Sequence, residues 1–142
     1  NETIKKYGGN KVDNFNKALG TCDFVSIHMP LNNETKNLIN LNNLKIMKKN
    51  SIILNTSRGG IVNEKDLNDA LNENLIFGAG LDVFEKEPIN YDNPLLKNDK
   101  VILSPHSATY TKECASRMSV ETVKNIINFF DKKIDKSMIV NL

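Results

Sequence analysis

The sequence predicts an α/β fold built on a parallel sheet, and two observations carry that prediction. Four short β-rich runs are continuously apolar rather than alternating, as expected of strands buried on both faces. Segments with helical spacing lie between them, and strand–helix–strand order with right-handed crossovers gives a parallel sheet. The 142 residues are room for one domain with a core of its own.

The first run, Phe24-Val25-Ser26-Ile27-His28-Met29, is stopped by Pro30. Ser51 to Thr56 forms the second, Phe77 to Phe84 the third, and Val101 to Ser104 the fourth, ended by Pro105. Glycines at 78 and 80 in the third run permit close backbone approach. Leu41, Leu44 and Met47 recur at helical spacing after Asn40, a suitable cap, and Asn50 is expected to close that helix in the left-handed region. Asn63 can cap a helix through Asn72, with Leu67, Ala70 and Leu71 on one face and Asn74 as closing residue. A longer stripe from about Thr111 to Phe130 passes through Ala115, Met118, Thr122 and Ile126.

Composition narrows the function classes. A net charge of +2 is too small to imply nucleic acid or an acidic membrane as partner. No run of apolar residues is long enough to span a bilayer, and the first residues lack the apolar stretch of a signal peptide. Cys22 and Cys114, with His28 and His106, have no metal-ligand spacing, so no metal site is expected. A reduced, cytoplasmic protein is the expectation. The basic residues are 17 Lys and only 2 Arg, Arg58 and Arg117, beside 22 Asn. An arginine kept against that bias points to a need for guanidinium geometry, an argument that applies to both.

In a parallel α/β sheet the chemistry lies outside the carboxyl ends of the strands. Those ends carry His28-Met29-Pro30, Thr56-Ser57-Arg58, Asp82-Val83-Phe84 and Ser104-Pro105-His106. Arg58 precedes Gly59-Gly60, whose lack of side chains is expected to let a small anion reach guanidinium and backbone. His106 supplies an acid/base, and Glu87 a carboxylate to hold the imidazole. Alone, Arg58 and His106 read equally well as surface residues, and Glu87 reads mainly as a solvated loop carboxylate; it is the joint placement that points to chemistry. For His28 a plain strand-end role is preferred.

Four motifs in order resemble the D-isomer-specific 2-hydroxyacid dehydrogenases from about Asp13 to Asn141. They are Cys22 to Leu31 followed by Glu34 to Ile39; Met47-Lys48-Lys49 through Asn55 to Val62; Gly78 to Pro88; and Ser104 to Thr109. The resemblance implies a partial Rossmann-type, doubly wound parallel sheet of about four contiguous strands. It implies that Arg58 holds the substrate carboxylate and 2-oxo oxygen. His106 would exchange a proton with that oxygen as hydride moves at C2, and Glu87 would pair with His106. Asp82 would lie beside the nicotinamide carboxamide. Met29, Pro30, Thr56 and Ser57 would line the cofactor cleft, and the backbone at Ser107 and Ala108 would face the nicotinamide. NAD is the implied cofactor, a small 2-hydroxy or 2-oxo acid the substrate, and a homodimer the form of the parent enzyme.

The family's G-x-G-x-x-G fingerprint is absent, since Gly8-Gly9 has neither the preceding strand nor the spacing. The ribose-binding acid about 20 residues beyond it is absent too. The chain therefore reads as a C-terminal portion: residues 1–110 as part of the dinucleotide-binding domain, residues 111–142 as a long helix and tail leading toward a substrate domain. On this reading the first two strands are missing, Lys11-Val12-Asp13 is a short outer strand, and the edge beginning at Phe24 is covered by another chain, a swapped segment or the missing part. The fragment alone is expected to be inactive. Ser137 to Asn141 resembles the tail of the family's minimal enzymes, and Arg117 reads as a structural or interface residue.

The run Asp82 to Pro88 inclines the reading toward D-3-phosphoglycerate dehydrogenase, in serine biosynthesis, with glyoxylate/hydroxypyruvate reductase as the alternative. Glu87 argues against a formate dehydrogenase. A rival of another class is a cofactor-sensing, corepressor-like binding module, and a third is a non-catalytic assembly partner.

Overall fold

The computed structural model describes residues 2–139. It contains four parallel strands in one sheet, β1 (Phe24–Ile27), β2 (Ile52–Asn55), β3 (Gly78–Leu81) and β4 (Val101–Leu103), in the order β1-β2-β3-β4. All four lie inside the predicted apolar runs, and the α/β class with four contiguous parallel strands is as expected. The chain divides into two compact units, Asn1–His106 and Ser107–Leu142.

In the first unit, α1 (Glu2–Lys6) and α2 (Phe15–Leu19) are single turns, the latter capped by Asn14, which accepts from the Lys17 amide. Helix α3 (Leu41–Ile46) begins at Asn40 in a reciprocal capping box with Asn43. Helix α4 (Glu64–Asn72) begins at Asn63, whose side chain accepts from the Asp66 amide. Asp66 in turn accepts from the Leu41 amide at 2.9 Å, so the start of α4 fixes the start of α3. Leu44, Leu67, Ala70 and Leu71 are fully buried from these helices. They share the core with Ile53, Ala79 and Leu81 of the sheet. Truncating one such leucine to alanine costs about 2–5 kcal/mol.

Three expectations are corrected. Asn50 does not close α3 in the left-handed region; Met47 ends the helix in extended geometry, and a separate turn follows in which Ser51 bonds the Lys48 carbonyl through both its amide and its hydroxyl. Asn74, by contrast, has φ 57° as expected. Lys11-Val12-Asp13 forms no strand. No ladder partner for it occurs among the described residues, and an isolated extended segment leaves its amides and carbonyls to water. Finally, the sheet is not buried on both faces. Ile53, Ala79 and Leu81 are buried on one side, whereas Phe24 and Ile102 are 67% and 80% exposed. Continuous apolarity signals two apolar faces; it does not by itself supply a cover for each.

The second unit is dominated by α5 (Lys112–Phe130), capped by Thr111 accepting from the Cys114 amide. None of its residues is buried, and Met118, Val123, Ile126 and Phe130 are exposed. The predicted long helix is thus present at the predicted place. The expected tail at Ser137 to Asn141 extends beyond the described residues, which end at Ile139.

Candidate active site

The carboxyl ends of β2 and β3 each lead into a loop that a buried polar residue organises. At the end of β2 this is Asn55, only 2% exposed. Its Oδ1 accepts from the Ser57 amide and hydroxyl at 3.1 and 3.0 Å, and its Nδ2 donates to the Arg58 carbonyl at 2.9 Å. A short amide side chain bonding the backbone two and three residues on is the device that forms tight turns. It presents Thr56, Ser57 and Arg58 in one arc. Those three line an open cleft of about 400 Å³ together with His28, Met29 and Pro30 from the end of β1. The Arg58 guanidinium is exposed, and its Nη1 donates to the Ser57 carbonyl at 2.6 Å. Sequence reasoning assigned four of these residues to the cofactor cleft and Arg58 to the substrate. His28, read there as a strand-end residue, is on the cleft wall, with its Nε2 2.7 Å from the Ser26 hydroxyl.

Beyond β3, Asp82 is buried and accepts from the Ser104 hydroxyl at 2.5 Å. That bond joins the ends of β3 and β4 and so brings together the loops that follow them. In one, Glu87 folds back so that its Oε1 accepts from the Phe84 amide at 3.0 Å. Its Oε2 lies 2.7 Å from His106 Nδ1 on the other. The His106 hydrogen bond, and after it the Phe84 amide, hold the Glu87 carboxyl below the usual glutamate value. An ionised carboxylate only accepts, so Nδ1 of His106 is the donor to Glu87 Oε2. His106 has φ 52°. This left-handed conformation is uncommon for a non-glycine residue and is held against its local cost at sites where the surroundings fix it. The Glu87–Pro88 peptide bond is cis. Ser107 and Ala108 follow His106 directly and open the second unit.

The two glycines after Arg58 do something other than expected. A Cβ at Gly59 would lie 1.8 Å from the Phe84 carbonyl oxygen. The space is filled by the Glu87 loop's backbone and is not open to an anion. Gly60 instead supplies a positive φ of 79°. Gly59 therefore places the Arg58 loop in direct contact with the loop that carries Glu87. A larger hollow, of about 720 Å³, lies on the open sheet face and reaches the strands' amino ends, where Lys49, Asn74 and Lys100 border it. It is distant in the fold from the carboxyl-end chemistry. Among the described residues no group of His, Cys, Asp or Glu is placed to hold a metal ion, and no helix is long and apolar enough to cross a membrane.

Residues 1–108 match the family model described as D-isomer specific 2-hydroxyacid dehydrogenase, NAD binding domain. The chain belongs to this family. The match covers the entire sheet together with Arg58, Glu87 and His106. Among curated relatives, a glyoxylate reductase of Korarchaeum cryptofilum is 46% identical over 123 residues, 87% of this chain and 37% of that protein. A D-3-phosphoglycerate dehydrogenase of Methanocaldococcus jannaschii is 40% identical over 129 residues, 89% of this chain and 24% of that protein. Among solved structures, D-lactate dehydrogenase with NAD+ from Lactobacillus jensenii superimposes with a TM-score of 0.86 at 26% identity, covering 100% of this chain and 46% of that one. The chain thus spans less than half the length of these relatives.

Asn55 and Ser104 were missed by sequence reasoning. For Asn55 the available signal was polarity at a strand's last buried position, where an unpaired amide is costly and its presence implies a partner; Ser104, half-buried just past β4, offered no such signal.

Proposed function

We propose that this chain is the cofactor-domain portion of an NAD-dependent D-2-hydroxyacid dehydrogenase, carrying its acid/base pair and substrate clamp. The observation that carries the reading is the Glu87–His106 pair at 2.7 Å beside the sheet's carboxyl end. A carboxylate on Nδ1 fixes the ring's orientation and tautomer and leaves Nε2 to give a proton to a 2-oxo oxygen, or take one from a 2-hydroxyl. Arg58 is exposed at the neighbouring loop, where its planar fork suits a carboxylate.

The cleft formed by Met29, Pro30, Thr56 and Ser57 fits the nicotinamide end of the cofactor, being an open groove at the sheet's carboxyl ends with polar groups at its wall. Asp82 and the backbone at Ser107 and Ala108 are assigned to its carboxamide side. When bound, NAD accepts or supplies the hydride at C2. His106 moves the accompanying proton, as imidazolium giving it to the 2-oxo oxygen in reduction and as neutral imidazole taking it from the 2-hydroxyl in oxidation; Glu87 holds the ring through Nδ1, and Arg58 orients the acid. A homodimer is proposed for the intact enzyme.

For the substrate we favour a small 2-oxo acid of the glyoxylate or hydroxypyruvate type, supported by the glyoxylate reductases among the relatives. Phosphohydroxypyruvate is the second reading, supported by the phosphoglycerate dehydrogenases. Steady-state oxidation of NADH by the intact enzyme against glyoxylate, hydroxypyruvate and phosphohydroxypyruvate tests both. The expected result is turnover with at least one, with the highest kcat/KM naming the substrate. No turnover with any of the three would overturn the dehydrogenase reading.

A further inference from the structure

Phe84 and Glu85, which closely precede Glu87 in the chain, have their backbone held on three sides. The Phe84 amide is bonded by Glu87 itself, and the Phe84 carbonyl occupies the space against Gly59. The third side is a reciprocal clamp across 21 residues of sequence. The Glu85 amide donates to Glu64 Oε1 at 2.5 Å, and the Glu64 amide donates to Glu85 Oε1 at 2.9 Å. Glu64 is the first residue of α4, whose amide has no partner within the helix. A carboxylate is favoured there by both the free amide and the helix dipole. The second oxygen of Glu64 accepts from Asn93 Nδ2 at 2.7 Å, which fixes the carboxylate's plane.

We propose that Glu64 and Glu85 are positioning residues for the hydride-transfer reaction, locking the Glu87 loop to α4 so that the Glu87 carboxylate meets His106. This rests on the dehydrogenase reading above. Neither glutamate acts on substrate. Their role is that of acceptors: each satisfies the other's amide, and together they set the direction in which the chain leaves Phe84. Two bonds made in opposite senses fix orientation as well as distance, which a single bond does not. Asn93 supports the clamp from the opposite side.

The test is made on the intact enzyme with Glu85→Ala, Glu85→Gln, Glu64→Ala and Asn93→Ala. Misplacing a catalytic group by about 1 Å costs up to about a hundredfold. The alanine variants at 64 and 85 are expected to lower kcat about tenfold to a hundredfold, with the KM for NADH unchanged and a kcat–pH profile altered as it is in Glu87→Gln. Glu85→Gln keeps the acceptor oxygen and is expected to restore kcat and profile. Asn93→Ala, the mildest change, should show a smaller loss in the same direction; it also serves if the Glu64 variant fails to fold. Carbon-13 NMR titration of the Glu87 carboxyl in the 142-residue chain gives a readout free of turnover. In Glu85→Ala its pKa is expected to rise toward the ordinary glutamate value. Alanine variants with wild-type kcat and profile, or an unmoved Glu87 titration, would overturn the positioning role. An inactive wild-type enzyme would instead sink the dehydrogenase reading, and the titration would still decide whether the clamp sets Glu87.

Discussion

Glu87 and His106, 19 residues apart on loops that follow neighbouring strands, meet through Oε2 and Nδ1 at 2.7 Å. The pairing depends on connections beneath it. Ser104 on Asp82 ties the two strand ends together, and the Phe84 amide holds the other carboxylate oxygen. On the proposed dehydrogenase reading, an acid/base pair assembled this way has its geometry set before substrate arrives, which is where most of its catalytic value lies.

The Glu87 carboxyl provides a pH signature. Its folded value is depressed, first by the His106 hydrogen bond and then by the Phe84 amide. A depressed acid stabilises the fold when ionised, so its contribution is complete above the ordinary value of 4.5 and is lost as pH falls through the lower folded value. Urea denaturation of the chain with and without Glu87→Gln, from neutral pH downward, is the check. The wild type is expected to be the more stable at neutral pH, with the gap closing in acid. A gap that widens in acid would contradict the assignment.

Arg58 is assigned to the substrate's carboxylate. Arg58→Lys keeps the charge and loses the fork. A charge-assisted hydrogen bond contributes about 1.5–3 kcal/mol, so KM for the 2-oxo acid is expected to rise about tenfold to a hundredfold. The KM for NADH should change little. An unchanged KM for the acid would remove Arg58 from the substrate site.

Gly59 and Gly60 are adjacent yet differ in what they do. Gly59→Ala forces a Cβ to within 1.8 Å of the Phe84 carbonyl oxygen, a backbone atom that cannot simply step aside. Gly60→Ala meets only Leu31 side-chain carbons at 3.7 Å, but at φ 79°. The first is expected to cost about 1–3 kcal/mol or more, the second about 1 kcal/mol. Thermal unfolding of the two variants tests the order, and a greater loss at Gly60 would contradict it.

Much of this architecture was legible in the chain. Continuous apolar runs gave the strands, and Asn40 and Asn63 act as the expected caps where helical spacing begins. Strand-end placement brought Arg58, Glu87 and His106 forward as one set. What was hidden is long-range and mutual. The Glu64–Glu85 clamp is invisible because each glutamate alone is an ordinary surface acid. The use of Gly59 depends on where Phe84 arrives from a different strand. Likewise, the exposure of Phe24 and Ile102 cannot be read from apolarity, which records what a strand can bury and not what packs against it.

The most direct measurement is single-turnover NADH oxidation by the intact enzyme carrying His106→Asn, with its preferred 2-oxo acid. The expected result is a fall in the rate of the chemical step of about 10²–10⁴, with NADH affinity unchanged. A variant that transfers hydride at the wild-type rate would contradict the role given to the Glu87–His106 pair.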